Sequence, residues 1–372
     1  MFIVAKFIFF ASVICIFYTY LGYFIYLFVL YKFGKGQKVR KKEIFPTISV
    51  VIAVHNEERN IKAKIENLLT QNYPRELYEI IVVSDGSTDK TNEILRNLEK
   101  IYSNLKSIIY KYKKTKPYAL NLGVREAKGD IIVFADARQK FASDAFKNLV
   151  QNFADETVGC VSGELIFLED SESEVKAEMG AYWKFEKKIR LLESLTGSVV
   201  GATGAIYAIR RSLFVPFPED ILLDDVYLPL KIAERKYRVL FEPKAQAFDV
   251  FSPNFAKEKR RKIRTLLGNW QLVFKEPNLI LPNKHPLWFR FVSHKFLRLL
   301  VPHFIFVAII SSLMINYYWF AMLCLLSIVL YFLPSNIPGL GRILSLNRSF
   351  VFLNYCALLA FFFIFKREWN IW

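Results

Sequence analysis

The run FIFFASVICIFYTYLGYFIYLFVLY, residues 7–31, carries no charge over its whole length. A bilayer core of about 30 Å is crossed by roughly 20 apolar residues in a helix, and this stretch is long enough. A secretory leader is the competing reading. The length of the run, its aromatic content and the lack of a small-residue cleavage site weigh against that. Lys32, Lys35, Lys38, Arg40, Lys41 and Lys42 follow at once. By the positive-inside rule that end faces the cytosol, so residues from about 45 onward begin there and the short N-terminus lies outside.

Apolar runs return at 299–315, 316–333 and 349–365, three further candidate spans whose number is open by one. PSNIPGLGRILSLNRS, between the last two, carries Arg342 and Arg348 and reads as cytosolic. PLWFRFVSHKFLRLL mixes aromatics with Arg290, Lys295 and Arg298, the pattern of an interfacial segment whose cations snorkel to the headgroups. His303 falls inside a candidate span and reads as a neutral, helix-packed ring.

The 372 residues are 53% hydrophobic yet 23% charged, which fits apolar segments joined to a water-soluble domain. A net charge of +17 points to anionic partners: phosphates, nucleic acid or an anionic membrane face. Much of it flanks the spans, where lysine and arginine are expected, and no nucleic-acid motif accompanies it. The four cysteines form no CxxC pair, so neither a disulfide framework nor a zinc site is indicated.

Between about 46 and 250 the pattern changes. TISVVIAV, YEIIVVSD, LKSIIYKY and DIIVFADAR read as strands, and helical periods lie between them, as in EERNIKAKIENLLTQ with Ile61, Ile65, Leu68 and Leu69 on one side. Strands alternating with helices imply a mainly parallel sheet covered on both faces. Ligands in such sheets bind at the carboxyl ends of the strands. The residues of interest are then His55–Glu58, Ser84–Asp89 and Ala135–Arg138.

VVSDGSTDKT ends an apolar strand with Asp85. Gly86 permits a tight turn, and Ser87 and Thr88 are placed to cap the next helix. The motif reads as a capped turn or as a carboxylate accepting hydrogen bonds from a nucleotide base. Asp136, at the end of IIVFADAR, is either a polar strand end or a ligand for Mg²⁺ or Mn²⁺ bridging to a diphosphate. Asp224 and Asp225, in ILLDDVYLPLKI, suit the first turn of a helix, where the dipole favours carboxylates. They also suit proton removal from a substrate. Gly201 and Gly204 in GATGAIYAIRR either serve packing or let the backbone approach a ligand closely. EMGAYWKFEKKIRLLES reads as a long helix whose Tyr182, Trp183 and Phe185 either pack or stack on a ligand. AKEKRRKIRTLLGNWQ, 256–271, is a basic helix facing lipid or a diphosphate.

VVIAVHNEE, VSDGSTDKT, KPYALNLG, FADAR, GATGAIYAIRR and LLDDVYLPLKI occur in this order. Over roughly residues 46–271 the chain resembles the family 2 glycosyltransferases, particularly membrane-bound ones related to hyaluronan, chitin and cellulose synthases. The resemblance implies an α/β GT-A type domain, Rossmann-like with a mainly parallel sheet, beside α-helical transmembrane segments. It implies inverting transfer from a nucleotide sugar. Carried over, Glu57 lies near the nucleotide, Asp85 binds the base (usually uracil) and Lys116 approaches the nucleotide. Asp136 is the first carboxylate of the DxD metal motif, for Mg²⁺ or Mn²⁺. Asp225 is the general base, and Asp224 stands where Glu is common. Gly204, Asp224 and Trp183 are the acceptor-side candidates, and Arg264 is a contact for the diphosphate.

Two departures stand out. The DxD reads Asp136-Ala137-Arg138, without its second carboxylate. The QxxRW of processive members reads RKIRT, Arg261 to Thr265, keeping only the arginine, Arg264.

The expected organisation is an N-terminal transmembrane helix at 1–33, a basic cytosolic linker at 34–45 and the GT-A domain at 46–271. An interfacial segment at 272–298 and a C-terminal transmembrane region of about three helices at 299–372 complete it. The expected protein sits in a bacterial or archaeal plasma membrane with its catalytic domain in the cytosol. It uses a nucleotide sugar, a UDP-sugar first, to build a cell-surface polysaccharide. The rival readings are single-sugar transfer to a lipid-linked acceptor, and an inactive subunit that binds nucleotide or polysaccharide. Expected partners are the glycan or lipid-linked acceptor and membrane lipids, with no nucleic acid and with room for a second copy of the chain.

Overall fold

Val50, Val51 and Ile52 have no solvent exposure, nor do Ile80, Ile81, Val82 and Val83. A strand covered on both faces reads as an unbroken apolar run rather than an alternating one. The structure is a computed structural model that describes residues 1–34, 36–168, 174–250, 255–333, 337 and 340–365. Lys35, the side chain of Tyr182, the side chain of Arg342 and most of 334–339, on which expectations above fall, lie outside the described residues.

Strands β1 (Ile48–Val54), β2 (Tyr78–Asp85), β3 (Leu105–Tyr110) and β4 (Ile131–Ala135) are parallel where they pair. The helices Ile61–Leu69, Thr91–Ile101 and Lys116–Glu126 connect them. Val50, Ile52, Ile80 and Val82 share one core with Ile61, Ile65, Leu68 and Leu95. On the other face Val51 and Val83 lie against the helix Lys116–Glu126 at Gly123. Burying each such side chain contributes roughly 1.5–3 kcal/mol, so helices on both faces hold the sheet.

Strands β5 (Lys140–Phe141), β6 (Val158–Leu168), β7 (Ile206–Arg210) and β8 (Arg238–Val250) extend the sheet, giving the order β3-β2-β1-β4-β7-β6-β8-β5. β7 runs antiparallel to both β4 and β6. Ala135, the last residue of β4, therefore pairs with Ile206, the first of β7. That reversal brings the segment leading into β7 to the same edge as the ends of β1, β2 and β4.

The chain divides into two units. One is this sheet domain, residues 36–169 and 193–250; the other contains residues 1–35, 170–192 and 251–372. Most of the helix Glu174–Leu195 and the whole helix Phe255–Lys275 thus fall outside the sheet domain, unlike the expected boundary at 46–271. Their apolar sides explain it. Ile189 and Leu192 form one cluster with Tyr23 and Leu27, and the Trp270 ring lies tilted against Phe361, centroids 5.8 Å apart.

In the helical unit Phe2–Phe33, Trp288–Met314 and Ile343–Phe365 are long and apolar enough to cross a membrane. The stretch 316–333, expected as a span, is instead a helix of 14 residues, Tyr318–Tyr331. At 1.5 Å per residue it reaches about 21 Å, short of a bilayer core. Of the stretch 272–298, the first residues belong to the helix Phe255–Lys275. From Trp288 onward the stretch is continuous with the helix ending at Met314. Two of its cations meet one carboxylate. Arg298 Nη1 lies 2.7 Å from Glu186 and Lys295 Nζ 3.8 Å. Burial alone would raise the Glu186 pKa, but Arg298, His294 and Lys295 outweigh it and hold the carboxyl well below its usual range. His303 sits edge-on to Phe361, ring centroids 4.4 Å apart, as a packed ring would.

Candidate active site

The ends of β1, β2 and β4 place three loops side by side, and hydrogen bonds stitch the first two together. Asn56 adopts a left-handed φ of 55°. Its N–H donates to Ser87 Oγ at 3.0 Å, and its Oδ1 accepts the Thr88 N–H at 2.8 Å. The Glu57 N–H donates to Thr91 Oγ1 at 2.8 Å, and its carboxylate accepts from Asn60 at 2.7 Å. Glu57 therefore sits beside the turn after β2. The helix start is capped by Asp89, which accepts the Thr91 N–H at 3.0 Å, and not by Ser87 or Thr88. Those two are occupied by Asn56. Burial pushes the Asp89 pKa up, but the hydrogen bonds from Thr91 and Glu58 prevail and leave it below the usual range.

Asp85 ends β2 with 4% exposure. Its Oδ1 accepts from the Tyr110 hydroxyl at 2.8 Å and from the Lys114 N–H at 2.6 Å. Gly86, at φ 61°, makes this possible: a Cβ there would stand 2.3 Å from the Lys113 amide nitrogen. No L side chain fits that approach without moving the 113–114 backbone.

Lys116 opens its helix and reaches Asp136, Nζ to Oδ1 3.0 Å, with Asp224 Oδ2 at 3.7 Å. Burial would lower the Lys116 pKa, but Asp136, Asp224 and Asp225 together hold it above the ordinary lysine value. The ammonium stays charged throughout the physiological range.

The two adjacent aspartates occupy the first turn of the helix Asp224–Glu234 and face different ways. Asp224 is 4% exposed and turns to Lys116. Asp225 is partly exposed, and its Oδ2 accepts the Gly204 N–H at 3.0 Å. The Ala202 N–H donates to its backbone carbonyl at 2.7 Å. The close approach that Gly204 allows is thus to Asp225, since a Cβ would lie 3.1 Å from Oδ2. The sheet reversal between β4 and β7 is what brings these groups together.

Three neighbours were not singled out from the sequence. Tyr207, fully buried on β7, stacks on Phe134 at 4.6 Å, and its hydroxyl has no partner among the described residues. Burial, then Asp224 and Asp225, push its pKa well above the usual phenol value. The alternation of GAIYAIRR signals only a strand facing both ways. Asp249 on β8 is the second. Arg138 pairs with it, and Gln139 Nε2 donates to it at 2.9 Å. The third is Lys64, 1% exposed, whose Nζ donates to the Gln139 carbonyl at 2.8 Å and lies 3.7 Å from the Phe141 ring centre. It anchors the loop that carries Asp136.

Burial lowers the Lys64 pKa to about 7, against the opposing pull of Asp136. Below pH 7 both folded and unfolded chains hold the proton, and the folded state bears the desolvation cost in full. Between about 7 and the ordinary lysine value only the unfolded chain keeps it, so stability rises with pH across that window. Lys64→Met removes this dependence. We expect its melting temperature to equal or exceed that of the wild type at pH 6 and to gain less between pH 6 and 8.5. An unchanged pH slope would show that Lys64 does not titrate there.

For a divalent ion the end of β4 offers the carboxylate of Asp136. Among the described residues no cluster of three His, Cys, Asp or Glu side chains is available. Asp136 is about one-third exposed, and Oδ1 alone engages Lys116. One carboxylate with substrate phosphates and water is a usual Mg²⁺ donor set, so the residues fit an ion that shares its sphere with a diphosphate.

Trp183 and Arg264 belong to the helical unit. The Trp183 ring has Lys262 Nζ 4.8 Å and the Arg261 guanidinium 6.0 Å from its centre, so cations of the chain itself hold it. Burial drives Lys262 down to about 8 despite Glu258. Arg264 lies on the same helix, Phe255–Lys275, partly buried.

Residues 49–215 match the model of the family described as Glycosyl transferase family 2. The chain is 27% identical over 249 residues to a probable glycosyltransferase, YdaM, of Bacillus subtilis (strain 168), covering 62% of this chain and 57% of that protein. It is 23% identical over 256 residues to the poly-beta-1,6-N-acetyl-D-glucosamine synthase of Staphylococcus aureus (strain COL), covering 67% and 60%. The chain thus spans less than two thirds of the length of these curated relatives. Among solved structures, the mannosyltransferase PcManGT from Pyrobaculum calidifontis, in complex with GDP-Man and Mn²⁺, superposes with a TM-score of 0.78. It is 22% identical and covers 99% of this chain and 100% of its own. The fold is therefore of GT-A type.

Proposed function

We propose that this chain, whose residues 49–215 match the family 2 glycosyltransferase model, is a membrane-integrated inverting glycosyltransferase with its catalytic domain in the cytosol. It takes the sugar of a nucleotide sugar, a UDP-sugar first, and builds a cell-surface polysaccharide. The observation that carries this reading is the placement of Asp225, held by the Gly204 N–H beside the Asp136–Lys116–Asp224 chain. The base and the charges for a diphosphate share one sheet edge.

Asp225 removes the proton from an acceptor hydroxyl. The freed oxygen pair forms the new bond to the anomeric carbon from the face opposite the diphosphate. The bond from that carbon to the diphosphate oxygen breaks, and its electron pair leaves with the nucleotide. Lys116 supplies fixed positive charge where the leaving group becomes more negative. Asp85 accepts from the base and Glu57 borders the nucleotide. Asp136 would hold Mg²⁺ or Mn²⁺, which when bound neutralises diphosphate charge. The similarity to a polysaccharide synthase and the three helices among the described residues that are long and apolar enough to cross a membrane support membrane integration.

A second reading, addition of one sugar to a lipid-linked acceptor, has its own observation. Thr265 stands where processive members carry tryptophan, and its hydroxyl is already satisfied by the Arg261 carbonyl at 3.0 Å.

The test is UDP release by the full chain in nanodiscs, across a panel of UDP-sugars with Mg²⁺ or Mn²⁺, with EDTA beside it. We expect release with one sugar and its loss in EDTA. Sizing the product separates polymer from single addition. No release with any nucleotide sugar and acceptor tried would favour a binding subunit.

A further inference from the structure

Asp85 does not present a whole carboxylate to a ligand. Oδ1 accepts two hydrogen bonds, from the Tyr110 hydroxyl at 2.8 Å and the Lys114 N–H at 2.6 Å. Both lone-pair directions of that oxygen are used. Oδ2 accepts none among the described residues. The arrangement is built in: β3 pairs with β2 so that Tyr110 faces Asp85, and Gly86 lets the 113–114 backbone close over it. The His55 ring nitrogen, 2.7 Å from the Asp85 carbonyl oxygen, pins the same residue from β1's side. Tyr110 itself packs edge-on to Tyr118, ring centroids 5.8 Å apart, so its hydroxyl is not free to swing away.

We propose that Tyr110 and the Lys114 amide set the nucleotide selectivity of this site by saturating one oxygen of Asp85, so that it takes a base with a single N–H donor, uracil, and disfavours guanine. The inference rests on the reading of Asp85 as the base-binding residue. Uracil offers one N–H, at N3, between two carbonyl acceptors. Guanine offers two adjacent donors, N1–H and the N2 amino group, which need both oxygens of a carboxylate. With Oδ1 occupied, guanine leaves one donor buried without a partner, an expensive state. Cytosine and adenine present an acceptor nitrogen at the corresponding ring position and would face Oδ2 lone pair to lone pair. Sequence alone does not show this, because Tyr110 lies at the end of a strand with nothing to mark its hydroxyl.

The experiment is calorimetric titration of the full chain in nanodiscs with UDP and with GDP, for wild type and for Tyr110→Phe. Tyr110→Phe keeps the ring against Tyr118 and frees one lone pair on Oδ1. We expect wild type to bind UDP at least about tenfold more tightly than GDP. In Tyr110→Phe we expect that ratio to shrink severalfold, chiefly through tighter GDP binding. Asp85→Asn, which replaces one acceptor by a donor, should weaken UDP. Equal affinity for the two nucleotides in wild type, or an unchanged ratio in Tyr110→Phe, overturns the inference while leaving a nucleotide-sugar enzyme intact. Binding of neither nucleotide overturns the inference together with the reading of Asp85 beneath it. Selective UDP binding without sugar transfer under any condition would uphold the inference and count against the proposed reaction.

Discussion

Asp225→Asn should reduce sugar transfer by about 10³-fold or more while leaving UDP affinity within about twofold of wild type. The substitution is isosteric. An amide oxygen still accepts the Gly204 N–H, and the Ala202 bond to the backbone carbonyl is untouched. What it removes is the capacity to take a proton. A positioned general base contributes typically 10²–10⁴ in rate, and an amide replaces none of that. Steady-state kinetics and UDP titration on the same preparation check both halves. Near-wild-type turnover would move the base elsewhere, and lost UDP binding would show that the change disturbed the fold.

Lys116→Met should lower kcat/KM for the donor by about 100-fold and shift the acidic limb of the pH profile to higher pH. The sign follows from the charges around Asp225. Lys116 is the cation between Asp136 and Asp224 and contributes to the field at Asp225. A nearby cation lowers a carboxylate's pKa, so its loss raises it. A base works only when deprotonated, so activity then begins at a higher pH. Asp224, 4% exposed, would also lose its partner, and uncompensated buried carboxylates destabilise. Lys116 is itself about one-third exposed, so solvent softens that cost below the roughly 3–5 kcal/mol of a fully buried pair. Lys116→Arg should restore the pH profile more than the donor affinity. A merely structural lysine would change stability without moving the pH limb, and that result would remove Lys116 from the reaction.

Much of the sheet domain was legible because its signals are local. An unbroken apolar run such as VVIAV needs both faces covered, and three such runs with a mixed fourth, LKSIIY, separated by helical periods leave few alternatives to a mainly parallel sheet. The motif residues at strand ends followed from that order. The helices were harder to assign. Glu174–Leu195 and Phe255–Lys275 lie within the stretch whose motifs run in order, yet they pack with the apolar helices through Ile189 and Trp270. A helix shows its apolar stripe in sequence but not which partner the stripe meets. The 14 residues of Tyr318–Tyr331 were as apolar as a span, and only the turn at Asn316 and the helix end at Tyr331 showed them to be short.

Sequence by itself determined the chemistry available: the carboxylates at the strand ends, the lysine that opens its helix, the glycines at the turns and the long apolar helices. Each is a property of a residue and its near neighbours. The tertiary structure alone decided how those groups are spent. Of two adjacent aspartates, one turns to Lys116 and the other to the Gly204 N–H. Asp85 keeps a single open oxygen because Tyr110 and Lys114 reach the other. Lys64 and Asp249 enter the neighbourhood of the 136–139 loop from helix and strand segments about 75 and 110 residues away in the chain. Hydrogen bonding and burial depend on distance in space, and the antiparallel pairing of β4 with β7 sets those distances without any mark in the local sequence.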